Sequence, residues 1–363
     1  MLSVFSCVYP YTPELKESAT SSLVVDADIK IGGRTAVQLS YVNSFVGGSS
    51  RSPYGTAYAE DSEGVRYEGR NGGSTIYIDT ESAPRDRKYR LVIQVDGYTY
   101  SSEWMQPFTP PQVDNVRFEA DERNVMVLLS MTEAGEGQGY AAVYFEETWD
   151  YHADYAKNYF YDDKSSSVDM LMSPDKTRYY CWIKAEHPGY YLLDYSELGG
   201  KVVDMPVYAF SRTSNRNHSK YGIEVKVRNL SPAEYRFRKT LDDNARIGGN
   251  LFQPDPGELP SNIICEDDDT RRAYGYVTVS EISSMKAVLD SRYYIPYAEE
   301  LIILQPEDYG KYYSWGYEPI DDVFSNGEFG VGWGLQRCWD CAKTGGTYGF
   351  YPWGEYSSET PKY

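Results

Sequence analysis

The sequence predicts a mainly β protein, with an amino-terminal immunoglobulin-like antiparallel sandwich followed by a larger β-rich domain that carries one helix. Three observations support this fold class. Apolar residues recur at every second position in many short segments, which is typical of half-buried strands. Tyrosine, a residue that favours strands, occurs 37 times in 363 residues. Only one segment combines a helical apolar face with signals for both helix ends.

The charge of the chain excludes some partners. The 35 basic and 54 acidic side chains give a formal net charge of −19. Nucleic-acid backbones and anionic lipid surfaces bind proteins that carry positive charge. Because this chain is strongly acidic, we expect no nucleic-acid partner. The sequence also has no apolar run near the ~18 residues that a membrane helix needs.

The amino end resembles the last part of a bacterial lipoprotein signal. A short apolar stretch ends in Ser6 directly before Cys7, the position at which such proteins are acylated. Residues 8–22 contain Pro10 and Pro13 and are typical of a tether. We therefore predict a signal remnant and tether over 1–22, with Cys7 as the lipidation site. The alternative is a frayed end that carries a free thiol.

Residues 23–106 form the predicted immunoglobulin-like sandwich. Alternating segments are joined by the turn sequences Gly32-Gly33 and Asp96-Gly97, which favour hairpins. Short strands at this spacing indicate an antiparallel sandwich. The predicted strands are 23–31, 36–41, 56–60, 65–68, 75–78, 89–95 and 98–100.

A Pro-rich linker over 107–111 separates this domain from the second, because prolines cannot pair in the centre of a sheet. The β-rich domain is predicted over 112–363, and its helix over 232–247. Ser231 can cap that helix, Glu234 completes a capping box, and Gly248-Gly249 ends it. The predicted strands are 116–118, 125–131, 141–148, 179–183, 221–227 and 273–279. Residues 309–356 are rich in Gly, Tyr and Trp without clear periodicity, so we expect ordered aromatic loops there.

Four cysteines remain beside Cys7, namely Cys181, Cys265, Cys338 and Cys341. Cys338 and Cys341 form a C-x-x-C pair, but zinc would need a second close pair or two suitable histidines. A redox site would need this pair to open a helix after a strand. We therefore expect either a disulfide between Cys338 and Cys341 or two free thiols, and the pairing of the other two stays open.

No signature of a catalytic or metal site stands out. His152, His187 and His218 lie far apart in sequence, and we expect surface or loop positions for them. The acidic run 265–269 lacks the alternate spacing that calcium loops use, so it predicts a solvated turn. We expect no enzyme activity, no cofactor and no metal. The rival hypothesis is a hydrolase that uses a pair of carboxylates.

Aromatic clusters near the carboxyl end are the candidate binding surface. They could pack loops onto the sheet, form a protein interface, or stack on a glycan or peptide. A further cluster spans 293–297. The candidate surface residues are Tyr312, Tyr313, Trp315, Tyr317, Phe350, Tyr351 and Trp353.

Several segments in order resemble one family. These are the strands 23–29 and 87–95, the proline-rich 107–111, the run 221–235, Gly249–Pro256, and Cys338-x-x-Cys341 with Gly345-Gly346-Thr347. Together they resemble the Bacteroidetes outer-membrane lipoproteins grouped as domain-of-unknown-function family 4249, over about 7–353. The resemblance implies a lipid anchor, an immunoglobulin-like sandwich before a larger β-rich domain, and genes beside TonB-dependent receptors. It implies no catalytic residues.

These observations together predict a lipid-anchored accessory or scaffold protein of the bacterial outer membrane, facing the periplasm or the cell surface. Its expected partner is an outer-membrane β-barrel protein such as a TonB-dependent receptor, or a larger outer-membrane complex. The alternative is a glycan- or peptide-binding lipoprotein that delivers its ligand to a transporter.

Overall fold

The computed structural model describes residues 22–41, 53–72, 75–134, 139–187, 189–247, 261–290, 298–325, 327–355 and 357–359. Cys7 and the cluster 293–297 lie outside these residues. Within the described part of the chain, no helix has the length and apolar character needed to cross a bilayer.

The protein is mainly β, as predicted. The first strands are β1 Leu23–Lys30, β2 Arg34–Tyr41, β3 Gly55–Asp61, β4 Arg66–Asn71, β5 Thr75–Asp79, β6 Tyr89–Val95, β7 Tyr98–Ser102, β8 Gln112–Ala120, β9 Asn124–Thr132, β10 Tyr140–His152, β11 Lys157–Asp162, β12 Ser167–Asp175 and β13 Tyr180–Glu186. The remaining strands are β14 Tyr191–Asp194, β15 Lys201–Ser211, β16 Lys220–Asn229, β17 Ile263–Cys265, β18 Ala273–Tyr274, β19 Thr278–Ser280, β20 Ser283–Asp290, β21 Ile302–Ile303, β22 Tyr317–Ser325, β23 Glu328–Leu335, β24 Thr347–Tyr348 and β25 Ser357–Glu359. The α-helices are α1 Pro232–Ile247 and α2 Tyr309–Ser314, and short 3-10 helices span Asn215–Asn217, Pro306–Asp308, Gln336–Cys338, Cys341–Thr344 and Trp353–Glu355.

The chain divides into two compact units. The first comprises Met1–Pro107 together with Thr240–Ser280, and the second comprises Phe108–Lys239 together with Glu281–Tyr363. The sequence placed all of 112–363 in one domain, and the structure corrects this for 240–280. The reason is that β17, β18 and β19 pair with strands of the first unit.

The first unit is an immunoglobulin-like sandwich with the predicted seven strands. Strands β1, β2 and β5 form one layer and β7, β6 and β3 form the other, and β4 joins the two layers into one continuous hydrogen-bonded order. The alternate residues Leu23, Val25, Ala27 and Ile29 are buried, as the periodicity of β1 predicts. Strand β4 pairs first with β3 and then with β5. Gly69 lies at this transition, where a Cβ would approach the Ala57 carbonyl oxygen to 2.3 Å.

Residues 261–280, here called the return segment, complete both edges of this sandwich. Strand β17 pairs antiparallel with β7, while β18 and β19 pair parallel with β1. The predicted strand over 273–279 is thus two short strands interrupted at Gly275. That glycine has φ +125°, and a Cβ there would lie 1.9 Å from the Val25 carbonyl oxygen. Only glycine therefore allows this close approach to β1.

A buried asparagine fixes the shape of the return segment. The side chain of Asn262 accepts from the backbone N–H of Val277 at 2.9 Å and donates to its carbonyl at 2.8 Å. Both residues are buried. The amide side chain thus satisfies two backbone groups that would otherwise be costly to bury.

The second unit contains a sandwich of similar strand order. Strands β8, β9 and β15 form one sheet, and β13, β10, β16 and β20 form the centre of the other. The predicted alternation of Tyr221, Ile223, Val225 and Val227 is confirmed, since all four are buried in the core between the sheets.

Helix α1 follows β16 and begins with the predicted cap. The backbone N–H of Glu234 donates to Ser231 Oγ at 3.0 Å. The Glu234 carboxylate pairs with Arg228 and Arg238. Arg228 and Glu234 are both buried, so this ion pair and the cap together tie the first turn of the helix to β16.

Residues 341–359, here called the strap, supply both outer strands of the larger sheet in the second sandwich. Strand β24 pairs with β13 and β25 pairs with β20. A disulfide joins Cys341 at the start of the strap to Cys181 in β13, with their Cα atoms 5.8 Å apart.

The expectation of either a disulfide between Cys338 and Cys341 or two free thiols is therefore wrong, because Cys341 is bonded to Cys181 and, of the two, only Cys338 is free. The two cysteines occupy successive 3-10 helices and face different apolar clusters. Cys338 is a buried free thiol whose Sγ lies 3.3 Å from Glu299 Oε2, and Cys265 is also buried and free. Burial and the neighbouring Glu299 raise the pKa of Cys338 to about 12, so this thiol is unreactive at neutral pH.

The carboxyl-terminal loops predicted over 309–356 are in part regular structure. Helix α2 is followed by the hairpin β22–β23, and β21 pairs with β23. The side of β23 that carries Gly330, Gly332 and Gly334 packs under Leu301 and Ile303. Because these glycines have no side chains, neither helical nor strand periodicity of apolar residues is visible in the sequence there.

The pairing of β17 with β7 predicts how substitutions of two neighbouring isoleucines change the stability of the protein. Ile263 is 6% exposed and Ile264 is 65% exposed, although they are neighbours of the same type. Ile263→Ala should lower the free energy of unfolding by about 2–4 kcal/mol because it opens a cavity. The matched control Ile264→Ala should change it by less than about 0.5 kcal/mol. Urea denaturation measures both, and equal effects would contradict the placement of β17.

Candidate functional site

The structure separates the predicted surface residues into two groups. The α2 cluster is defined here as four residues on α2, at its C-cap and at the start of β22, namely Tyr312, Tyr313, Trp315 and Tyr317. Phe350, Tyr351 and Trp353 belong to the strap. The two groups differ in what holds their side chains.

The α2 cluster exposes large rings to solvent. Trp315 is 57% exposed and Tyr313 is 41% exposed. The Tyr312 ring lies 5.1 Å from Trp315 and 5.5 Å from Tyr317 between centroids, and Lys311 Nζ lies 4.9 Å from the Trp315 ring. Exposed aromatic rings held by other rings are the kind of surface that protein interfaces use.

A buried tryptophan supports this cluster. Trp333 in β23 is fully buried, with Tyr309 of α2 stacked on it at 4.9 Å and Tyr161 of β11 at 5.7 Å. Tyr313 in turn lies 4.9 Å from Tyr161. Tyr313 therefore rests on a packed aromatic layer, and Trp315 rests on the neighbouring Tyr312 ring, which limits the entropy that these rings would lose on binding.

The strap residues are instead fixed by one buried carboxylate. Asp150 accepts from the Trp353 indole N–H at 2.6 Å and from the backbone N–H of Tyr351 at 2.9 Å. Burial raises the pKa of Asp150 above its usual value, although these two donors act in the opposite direction. The Tyr351 ring also lies 5.2 Å from Trp182. These contacts indicate packing for Tyr351 and Trp353, whereas Phe350 is 62% exposed.

A second exposed aromatic pair was missed from the sequence. Phe324 and Phe329 face each other across the β22–β23 hairpin and are 73% and 72% exposed. The sequence carries a signal for this hairpin, because Asn326-Gly327 favours a two-residue turn and Phe324 and Phe329 lie at equal distances on either side of it. Gly327 has the positive φ, +88°, that such a turn requires.

A buried ionic cluster in the second sandwich was also missed. The Glu147 carboxylate accepts from Arg216 Nε and Nη2 at 2.8 and 2.9 Å, from Tyr221 at 2.7 Å, and contacts His187 Nε2 at 2.5 Å. Burial acts to raise the pKa of Glu147, but the hydrogen bonds of Arg216, Tyr221 and His187 outweigh it and lower the pKa. A carboxylate whose acceptor positions are all occupied holds the surrounding side chains in place. It is a poor general base, because no position is left to accept a proton from a substrate.

His187 and His218 lie in loops, as expected, whereas His152 is the last residue of β10, and all three side chains are half-buried. The His152 ring stacks on Tyr179, with 4.9 Å between the ring centroids. The centroids of the His152 and His218 rings are 4.7 Å apart. His218 Nδ1 accepts from the backbone N–H of His152 at 3.4 Å, and its Nε2 is buried without a hydrogen-bond partner among the described residues. Burial, with His152 nearby, lowers the pKa of His218 to about 4.

The hydrolase hypothesis requires a cleft in which carboxylates lie together. A cleft on the first sandwich has a volume of about 630 Å³ and is lined by three carboxylates. Glu68, Asp79 and Glu81 share it with Arg34 and Arg70. All five side chains are exposed, so the burial that usually tunes a catalytic acid is missing from these carboxylates. Within the described ranges, no group of three metal-binding side chains is present.

The chain belongs to the family described as Domain of unknown function (DUF4249), whose model matches residues 8–286. The match ends before α2, the hairpin and the strap. No curated protein matches the chain in sequence. Among solved structures, a two fibronectin type-III domain segment from chicken tenascin is similar, with 6% identity over 57% of this chain and 89% of that chain. The TM-score between the two structures is 0.17.

The lowered pKa of His218 predicts how stability depends on pH. Between its ordinary pKa of 6.5 and about 4, the unfolded chain binds a proton that the folded chain does not. This histidine therefore makes stability fall as pH falls through that window. His218→Phe keeps a ring beside His152 and should flatten the decline between about pH 6.5 and pH 4, measured by urea denaturation. An identical decline in both proteins would contradict the assignment.

Proposed function

We propose that this member of the DUF4249 family is a lipid-anchored accessory protein that binds an outer-membrane β-barrel protein through the α2 cluster. The observation that carries the proposal is the exposure of Tyr313, which lies on the packed aromatic layer, and of Trp315, which lies against Tyr312. Tryptophan and tyrosine contribute most to binding energy at protein interfaces, particularly where they are already ordered. An aromatic surface of this kind fits a binding role better than a catalytic one.

The disulfide supports a location outside the cytoplasm. Cys181 and Cys341 are separated by 160 residues in sequence and are buried, so their bond is a structural one. Structural disulfides persist in oxidising compartments such as the bacterial periplasm and cell surface. The choice of a β-barrel partner, such as a TonB-dependent receptor, follows from the resemblance to outer-membrane lipoproteins.

The membrane anchor is proposed at Cys7, outside the described residues. Cys7→Ser should move the protein from the membrane fraction to the soluble extract, because the acyl chain would be lost. Ser6→Ala is the matched control, since a small residue before the cysteine is kept. Metabolic labelling with an alkyne fatty acid reads out the modification directly. A labelled Cys7→Ser protein would contradict the assignment.

The partner surface is tested by a matched pair of tryptophans. Trp315→Ala should weaken co-purification with the barrel protein by about 30-fold, which corresponds to about 2 kcal/mol, with little change in melting temperature. Trp353→Ala should lower the free energy of unfolding by about 1–3 kcal/mol, because it leaves the buried Asp150 carboxylate short of a donor.

Two results would count against the proposed surface. One is retention of the barrel protein by Trp315→Ala at the level of the unmodified chain. The other is a fall in melting temperature for Trp315→Ala as large as that for Trp353→Ala, since that would indicate packing at both positions.

A further inference from the structure

The β22–β23 hairpin carries a second surface, distinct from the α2 cluster. Phe324 and Phe329 are directly opposite each other, so their side chains leave the sheet on the same face. About three quarters of each side chain is exposed. Two large apolar rings left in water at one point are uncommon unless a partner covers them.

The position of this pair is well defined. The Ser325–Glu328 pair closes the hairpin, and the same strand pairing continues to Tyr317 and Leu335 at its base. At that base, the buried Trp333 packs against α2 and β11. A pair of rings on strands with this support can enter a pocket with little loss of backbone freedom.

The charge around the pair decides what kind of partner fits. Residues 157–175 and 301–335, which form β11, β12, α2 and the sheet of β21–β23, contain ten acidic and three basic side chains. Asp322 lies two residues before Phe324 on the same face, Glu328 directly precedes Phe329 in the chain, and both are exposed. Lys157 is already paired with Glu318. The local field is therefore negative.

A negative field disfavours two of the three candidate occupants. Anionic lipid head groups would be repelled, and a second copy of this chain would bring an identical acidic tip to the same place. A protein surface with positive charge around an apolar pocket would be attracted, and its charges would set the orientation of docking.

We propose that the hairpin tip inserts Phe324 and Phe329 into an apolar pocket of a partner protein whose rim carries lysine or arginine. The proposal rests on the proposed function only in requiring a protein partner. It names the chemistry of the recognised surface, and it does not depend on the α2 cluster or on a barrel.

The probe is a phage-displayed library of random twelve-residue peptides, selected on the immobilised full chain and counter-selected on the double variant Phe324→Ser, Phe329→Ser. Enriched peptides should carry an apolar residue flanked by lysine or arginine. Synthetic copies should bind at least about tenfold more weakly to the double variant and several-fold more weakly to Glu328→Lys, and should weaken with added salt. Leu198→Ser, which removes an exposed apolar side chain elsewhere, should bind them as the unmodified chain does.

Other outcomes would overturn the proposal. They are the absence of enriched peptides, enriched peptides without basic residues, or equal binding by Glu328→Lys. If the unmodified chain sediments with phosphatidylcholine vesicles and the double variant does not, the occupant of the tip is a lipid surface. If the unmodified chain dimerises and the double variant does not, the occupant is a second copy of this chain. If the double variant fails to fold by circular dichroism, Glu328→Lys and Phe324→Ser provide the same test. If basic peptides bind through the two phenylalanines but no barrel protein co-purifies with the chain, this proposal is retained and the proposed function is rejected.

Discussion

Unpaired edge strands are the constraint on which the architecture depends. An open sandwich exposes rows of backbone N–H and C=O groups at its edges, where other chains can add and aggregate. The return segment pairs with β7 and β1 of the first sandwich. The strap pairs with β13 and β20 in the second. In each sandwich, one later segment of the chain therefore satisfies strands at two edges.

The return segment and the strap are held in place by different interactions. The return segment relies on backbone pairing, the close approach at Gly275 and the Asn262 amide. The strap adds a covalent bond to β13 and a buried carboxylate, Asp150, that accepts from its backbone and indole groups. The strap thus fixes Tyr351 and Trp353 and leaves Phe350 exposed, while α2, the residue that follows it and the β22–β23 hairpin expose several further aromatic side chains. This division between held and exposed rings is the basis of the functional proposals.

Local signals in the sequence predicted the long elements and failed where contacts are distant. Period-two alternation identified β1 to β7, and the capping box at Ser231 identified α1, because both reflect interactions within a few residues. Strands β17 to β19 have only two or three residues each, and pairing with strands more than a hundred residues away makes them strands. The C-x-x-C spacing was misleading, since two 3-10 helices turn Cys338 and Cys341 towards different clusters. The Glu147 cluster joins side chains from four separate segments of the chain and therefore leaves no local pattern in the sequence.

Native-state hydrogen exchange of the unmodified protein tests the role of the return segment most directly. If β17, β18 and β19 complete the first sandwich, the amides of β7 and β1 that pair with them should open with nearly the same free energy as those of the central strand β6. Rapid exchange of these edge amides, with β6 still protected, would contradict the claim that the return segment closes the edges of this sandwich.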